Sequence, residues 1–161
     1  MKPARCALVV ATALLLACGG GVGGAGAGLP PGAGDPEGLF FAPELAVNLA
    51  DMERTRSGLY IQDLEEGRGP VAMRESLVSL RYVGWLPDGT VVDASVGGDP
   101  YQVRLGGNEV IRGWNEGIRG MRLGGTRRLV IRPSLGYGGR GSTRVPPNST
   151  LVFLVELVDV R

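Results

Sequence analysis

Histidine is absent from the 161 residues, and cysteine is nearly so: Cys6 and Cys18 both fall within the first 18 positions. Without an imidazole the chain cannot build the Ser–His or Cys–His pairs that activate a nucleophile. Without a cluster of histidines and cysteines it cannot build a zinc site of the usual kind either. A mature chain starting at Cys18 would carry one thiol, so no internal disulfide can form. An excess of charge is missing too. Seventeen basic residues stand against 16 acidic ones, a balance that gives no field to draw in nucleic acid or hold an anionic membrane. A P-loop is missing as well: the glycine-rich stretch 136–141 is followed by no lysine, and no helix is predicted to open there. What remains is room for one ordinary domain and a tail.

The tail is organised. Lys2 and Arg5 precede an apolar run, 7–16, too short for an ordinary membrane span, and the run ends in Leu15-Leu16-Ala17-Cys18. This is the pattern of an export signal. Its last four residues resemble the bacterial lipobox, which implies cleavage after Ala17 and acylation of Cys18. Several acyl chains on Cys18 would hold the protein on membrane lipid, since one chain alone binds weakly. The expected location is the bacterial cell envelope, lipid-anchored and facing the periplasm or the exterior. Residues 18–38 are almost entirely glycine, alanine and proline. With little to bury, they are expected to form a flexible tether. Residues 39–57 carry Phe40, Phe41, Leu45, Val47, Leu49 and Met52 without a clean period; this N-terminal extension could pack on the domain or bind a partner, and packing is the favoured expectation.

From residue 58 to 161 short apolar runs alternate with turn signals, the signature of a mostly β domain. Strands are expected at 58–64, around Val78, Leu80 and Tyr82, at 90–93 after a Pro87-Asp88-Gly89 turn, at 101–105, at 127–132, and at 151–160. The spacing of Ile111, Trp114 and Ile118 predicts one helix over 109–118. The fold class is therefore α+β, a twisted antiparallel sheet wrapped around one short helix. The pair Arg127-Arg128 lies along a strand, where neighbours face opposite ways, and is read as part of a solvated face.

Five blocks in order then carry a specific likeness: Leu80-Arg81-Tyr82-Val83-Gly84 with Leu86-Pro87-Asp88-Gly89; Val92-Asp93-Ala94-Ser95; Glu109 through Gly117, with Val110-Ile111 ahead of Trp114; Leu135-Gly136-Tyr137-Gly138; and Pro146-Pro147-Asn148-Ser149-Thr150-Leu151-Val152-Phe153. Together they resemble the FKBP-type peptidyl-prolyl cis-trans isomerases over residues 58–161, leaving 1–57 uncovered. The resemblance implies an FKBP-like fold and a proline pocket walled by Tyr82, Val92, Tyr101, Val103, Val110, Ile111, Tyr137 and Phe153, with Trp114 as floor and Asp93 at the rim. It further implies catalytic roles for Tyr82, Asp93 and Tyr137. The Ile111 N–H and Tyr137 hydroxyl would hold substrate carbonyls, and Asp93 would orient Tyr82 or accept a polar contact at the rim. Periodicity alone would put Tyr82, Trp114 and Phe153 in the core.

The implied activity is isomerisation of prolyl bonds in unfolded or partly folded polypeptides, without cofactor or metal, with macrolides as possible inhibitors. A monomer is expected. Two positions depart from the family pattern: Val92 stands where phenylalanine is common, and the short loop 142–145 carries Arg144 at a usually apolar position. Both take apolar contact from the substrate rim, which keeps open the alternative of an FKBP-like binding module, a holdase with weak or no turnover.

Overall fold

A computed structural model describes residues 32–95 and 97–161. The signal segment, Cys18 and the first part of the tether lie outside the described residues. Seven strands build one antiparallel sheet: β1 (Glu53–Arg54), β2 (Tyr60–Glu65), β3 (Leu77–Trp85), β4 (Val91–Ala94), β5 (Tyr101–Arg104), β6 (Thr126–Ile131) and β7 (Leu151–Val160). Their order is β1-β2-β6-β7-β3-β4, with β5 also on β3. Strand β5 pairs residues 77–80 of β3 and β4 pairs residues 83–85, so the two short strands share one edge. This is the α+β sheet the sequence predicts, with one α-helix among the described residues, α1 (Arg112–Gly117), against it.

Period-two alternation sorts the sheet's side chains. Val78, Leu80 and Tyr82 of β3, Leu129 and Ile131 of β6, and Phe153, Val155 and Leu157 of β7 bury toward α1 in one cluster with Trp114 and Ile118. The helix is shorter than the spacing predicts. Ile111 is extended, at ψ 152°, and offers no side-chain cap, so residues 109–111 form a loop ahead of the helix. Such a short helix containing Gly113 and Gly117 has little intrinsic stability. Its glycines serve packing instead: a Cβ at Gly113 would lie 2.6 Å from Ile131 Cγ2, and one at Gly117 would lie 2.6 Å from Leu129 Cδ2.

The solvated-face reading of Arg127-Arg128 is corrected. Arg127 shares the inner face with Leu129 and Ile131 and is buried. Its guanidinium donates to both Asp63 carboxylate oxygens, at 2.6 and 2.8 Å, and to the Gly117 carbonyl at the C-terminal end of α1, at 2.8 Å. A planar fork meeting a carboxylate while capping a helix end explains why an arginine stands here. Arg128, on the other face, donates to the Ala46 carbonyl and to Gln62 Oε1.

That other face is covered by residues 32–57. Leu45 and Met52 bury against Tyr60, Val130 and Val152, with Phe41, Val47, Leu49 and Trp85 packed around them. The expected packing of 39–57 is thus what the structure has, and β1 lies inside that segment, so the sheet runs across the expected domain boundary at residue 58. The tether expectation needs correction for residues 32–38. Gly34 N–H donates to the Asn148 carbonyl at 2.8 Å, Thr150 N–H to the Gly32 carbonyl at 3.0 Å, and Thr150 Oγ1 to the Gly34 carbonyl at 2.6 Å. Asp35 pairs with Arg132, and Glu37 with Arg54 and the Tyr60 hydroxyl. Composition misleads because Gly32, at φ +84°, sits where a Cβ would lie 2.7 Å from Pro87 Cδ. The glycine permits a close approach and does not loosen the chain.

Candidate functional site

On the α1 side the cluster of apolar side chains does not close completely. A cavity of about 360 Å³ opens between Trp114 and the sheet, lined by Tyr82, Asp93, Tyr101, Asn108, Glu109, Val110, Ile111, Trp114, Tyr137 and Phe153. Strand β3 supplies Tyr82, β5 Tyr101 and β7 Phe153, while α1 supplies Trp114 and the loop before it Val110 and Ile111. The planes of Tyr82, Tyr101 and Phe153 stand at 81°, 74° and 84° to that of Trp114, with centroids 4.7, 6.1 and 5.3 Å away. Trp114 is therefore a floor and the other three rings are walls, an edge-to-face arrangement that aromatic rings favour. Gly84 makes room for one wall, because a Cβ there would strike the Phe153 ring.

The polar groups are few. Tyr82 donates its hydroxyl to Asp93 Oδ2 at 2.7 Å, and Asp93 Oδ1 accepts the Ala94 N–H at 3.0 Å. A register shift between β3 and β4 pairs Gly84 with Asp93 and Trp85 with Val91. It leaves Val92 as the extra residue of a β-bulge, a device that re-aims side chains. Val92 enters the core while its neighbour Asp93 reaches Tyr82 on the same side. Burial, then the hydrogen bond to Asp93 and its charge, push the Tyr82 phenol well above its ordinary range. Burial and the charge of Asp93 push Tyr137 up as well. Both hydroxyls therefore stay protonated and available as donors at neutral pH. The indole N–H of Trp114 is buried without a partner, and no acceptor among the described residues meets the Ile111 N–H.

Eight of the residues expected at the pocket, with Asp93 among them, line this one cavity. Two do not. Val103 is 2 % exposed and lies within the core, because on β5 it alternates inward while Tyr101, two residues earlier at the strand's end, reaches the opening. Val92 lines an adjoining concavity of about 260 Å³ with Ser142, Thr143, Arg144 and Val145, and the two share Asp93, Tyr137 and Phe153 as walls. Asn108 and Glu109 are additions that sequence reasoning missed. Treating 109–118 as helix hid Glu109 and left Asn108 as an unremarked flank, although the turn signal Gly106-Gly107-Asn108 could have placed both at a loop.

An apolar cage with a few fixed donors and no nucleophile can take up a compact apolar group, strip water from it and hold the amide beside it. Comparison with known proteins agrees with that chemistry. Residues 69–158 match the family model of FKBP-type peptidyl-prolyl cis-trans isomerases. The chain belongs to the FKBP family. Every residue of the cavity falls inside the matched region. Among relatives, an FK506-binding protein of Neisseria meningitidis serogroup B is 45% identical over 105 residues, covering 64% of this chain and 96% of that one. FK506-binding protein 4 of Mycosarcoma maydis is 46% identical over 105 residues, and there the match spans 65% of this chain but only 28% of the fungal protein. The crystal structure of FkpA from Escherichia coli superposes with a TM-score of 0.66 at 40% identity, covering 74% of this chain and 55% of that one. The FKBP-type fold is therefore shared well beyond the sheet alone, and residues 32–57 lie outside the family match.

Proposed function

We propose that the protein is a peptidyl-prolyl cis-trans isomerase that acts on proline-containing unfolded or partly folded polypeptides at a bacterial envelope. The observation that carries this is the Trp114 floor with three rings upright on it, opening beside the unpartnered Ile111 N–H. Rotation about a prolyl bond must cross roughly 20 kcal/mol, because twisting breaks amide resonance, and uncatalysed it takes tens of seconds or more. No bond to an outside atom forms. A protein accelerates the rotation by binding the twisted amide better than either planar isomer.

In this reading the proline ring enters the cage and the rings exclude water from the amide, which favours the twisted, less dipolar state. The Ile111 N–H and the Tyr137 hydroxyl hold substrate carbonyls, while Asp93 fixes the Tyr82 phenol as part of the wall. None of these groups needs to give up a proton. The test is isomer exchange of a prolyl peptide by the full chain, with and without FK506, the macrolide in the names of the relatives. Acceleration abolished by one equivalent of macrolide is expected; no acceleration at any concentration overturns the proposal. Val92, sunk into the core where a larger ring would widen the wall, favours a second reading as a holdase. Such a protein would suppress aggregation of an unfolded client yet leave isomer exchange unchanged.

Removal of residues 1–17 and acylation of Cys18 would place a monomeric domain on membrane lipid, linked through the segment before Gly32. Fatty-acid labelling of the expressed protein, lost in Cys18→Ser, is the expected result.

A further inference from the structure

We infer that the concavity beside the aromatic cage selects an acidic side chain on the residue immediately before proline, through Arg144; this rests on the proline-binding reading above. The two hollows share Asp93, Tyr137 and Phe153 as walls, so a ligand filling one abuts the other. The bond that rotates joins proline to the residue before it. With the ring in the cage, that preceding residue falls into the next hollow, which Val92, Ser142, Thr143, Arg144 and Val145 complete.

The loop bearing Arg144 is clipped in place. Ser142 N–H donates to the Val145 carbonyl at 2.7 Å, and Ser142 Oγ accepts the N–H groups of Val145 and Arg144 at 3.2 and 3.4 Å. Gly141, at φ +64°, sits where a Cβ would strike the Val145 carbonyl oxygen, so the turn leading into the loop is closed tightly. The backbone of Arg144 is thereby fixed beside the hollow. Its guanidinium enters no ion pair among the described residues, and a guanidinium carries five N–H donors. Asp93, the acid in the shared wall, is already engaged by the Tyr82 hydroxyl and the Ala94 N–H. Glu109 lines the aromatic cavity but not the second hollow, and Arg144 the reverse. The second hollow thus holds two charges: Asp93, whose oxygens are already taken by neutral donors, and Arg144, whose donors are free, so the group with hydrogen bonds to offer beside the residue before proline is the Arg144 guanidinium.

The test uses the full chain and peptides Ala-Xaa-Pro-Phe with Xaa glutamate, lysine or leucine, following isomer exchange by NMR. The readout is the ratio of kcat/KM for the glutamate and lysine peptides, in which any change common to both cancels. A ratio of about five is expected from one attractive and one repulsive exposed pair. It should fall toward one in Arg144→Ala, invert in Arg144→Glu, and shrink in 0.5 M salt. A ratio of one in the unaltered chain or a ratio unmoved by Arg144→Glu overturns the inference. The leucine peptide separates this from the isomerase reading. If no peptide is turned over, that reading fails, and the glutamate-to-lysine ratio of binding affinities, taken from the chemical shift of the Trp114 indole N–H, still decides the role of Arg144.

Discussion

The two faces of one sheet have been treated in opposite ways. On the side away from α1, Tyr60, Val130 and Val152 are sealed beneath residues 32–57, with Leu45 and Met52 pressed into them. On the α1 side, side chains of the same strands leave a cavity, a half-exposed Tyr137 and a buried indole N–H without a partner. Burial of apolar surface stabilises a fold in proportion to area, and an open cavity forgoes part of that. The sealed face offsets what the open face lacks. The strap outside the family match thus adds buried apolar area on the face that does not carry the cavity.

Substitutions on the two faces should therefore separate activity from stability. Trp114→Ala has the largest expected effect: about 3–5 kcal/mol of stability, the usual cost of deleting a buried tryptophan, together with a loss of isomerase activity of about tenfold or more. Denaturant unfolding and isomer exchange check the two parts. Activity that survives Trp114→Ala at a temperature where the variant is folded would break the comparison, since the open face would then not be the working one. Met52→Ala and Leu45→Ala, on the sealed face, should each cost about 2–3 kcal/mol and leave kcat/KM unchanged below their unfolding transitions. A drop in kcat/KM in either would mean that the strap reaches the site.

How much of this was legible in the sequence follows the same division. The open face could be read because its strands alternate cleanly and its loops carry the quoted motifs; Tyr82, Trp114 and Phe153 fall together as those motifs imply. The sealed face was harder. The strap's apolar residues follow no period, because it runs as three short 3-10 turns and irregular backbone over an existing sheet. Its glycines resemble a linker until Pro87 is seen against Gly32. Long-range partners escape local pattern altogether. Arg127 looks solvated until the chain brings Asp63 and the Gly117 carbonyl to it, and the bulge that separates Val92 from Asp93 has no mark in the sequence. Val103 was misplaced for a related reason: alternation puts Tyr101 and Val103 on one side, but only the former lies far enough along the strand to reach the opening.

A smaller change sharpens the comparison within the open face. Tyr82→Phe keeps the wall and removes one hydrogen bond to a carboxylate, which should cost about 1 kcal/mol at this partly buried position. If the same amount is felt in the transition state, kcat/KM falls about fivefold. A much greater loss would give the hydroxyl a direct part in the reaction and not merely a place in the wall.

The smallest effect is one of pH, and it distinguishes the faces by direction. Glu37 on the strap is held below its ordinary 4.5, first by backbone N–H donation, which outweighs the burial penalty that comes next, and then by the Tyr60 hydroxyl and Arg54. A lowered acid contributes stability that is present above pH 4.5 and lost as pH falls below it. Tyr82 and Tyr137 are raised above their ordinary 10.0. In the folded state they keep protons that the unfolded chain releases, so their contribution is complete below pH 10 and lost as pH climbs past it. Activity should then be flat from about pH 6 to 9, because both tyrosines stay protonated there and the chain has no histidine to titrate. Glu37→Gln should blunt the acid loss of stability while leaving the activity profile where it was. A bell-shaped profile centred near neutrality would instead require a proton transfer in the reaction, which binding of a twisted amide does not use.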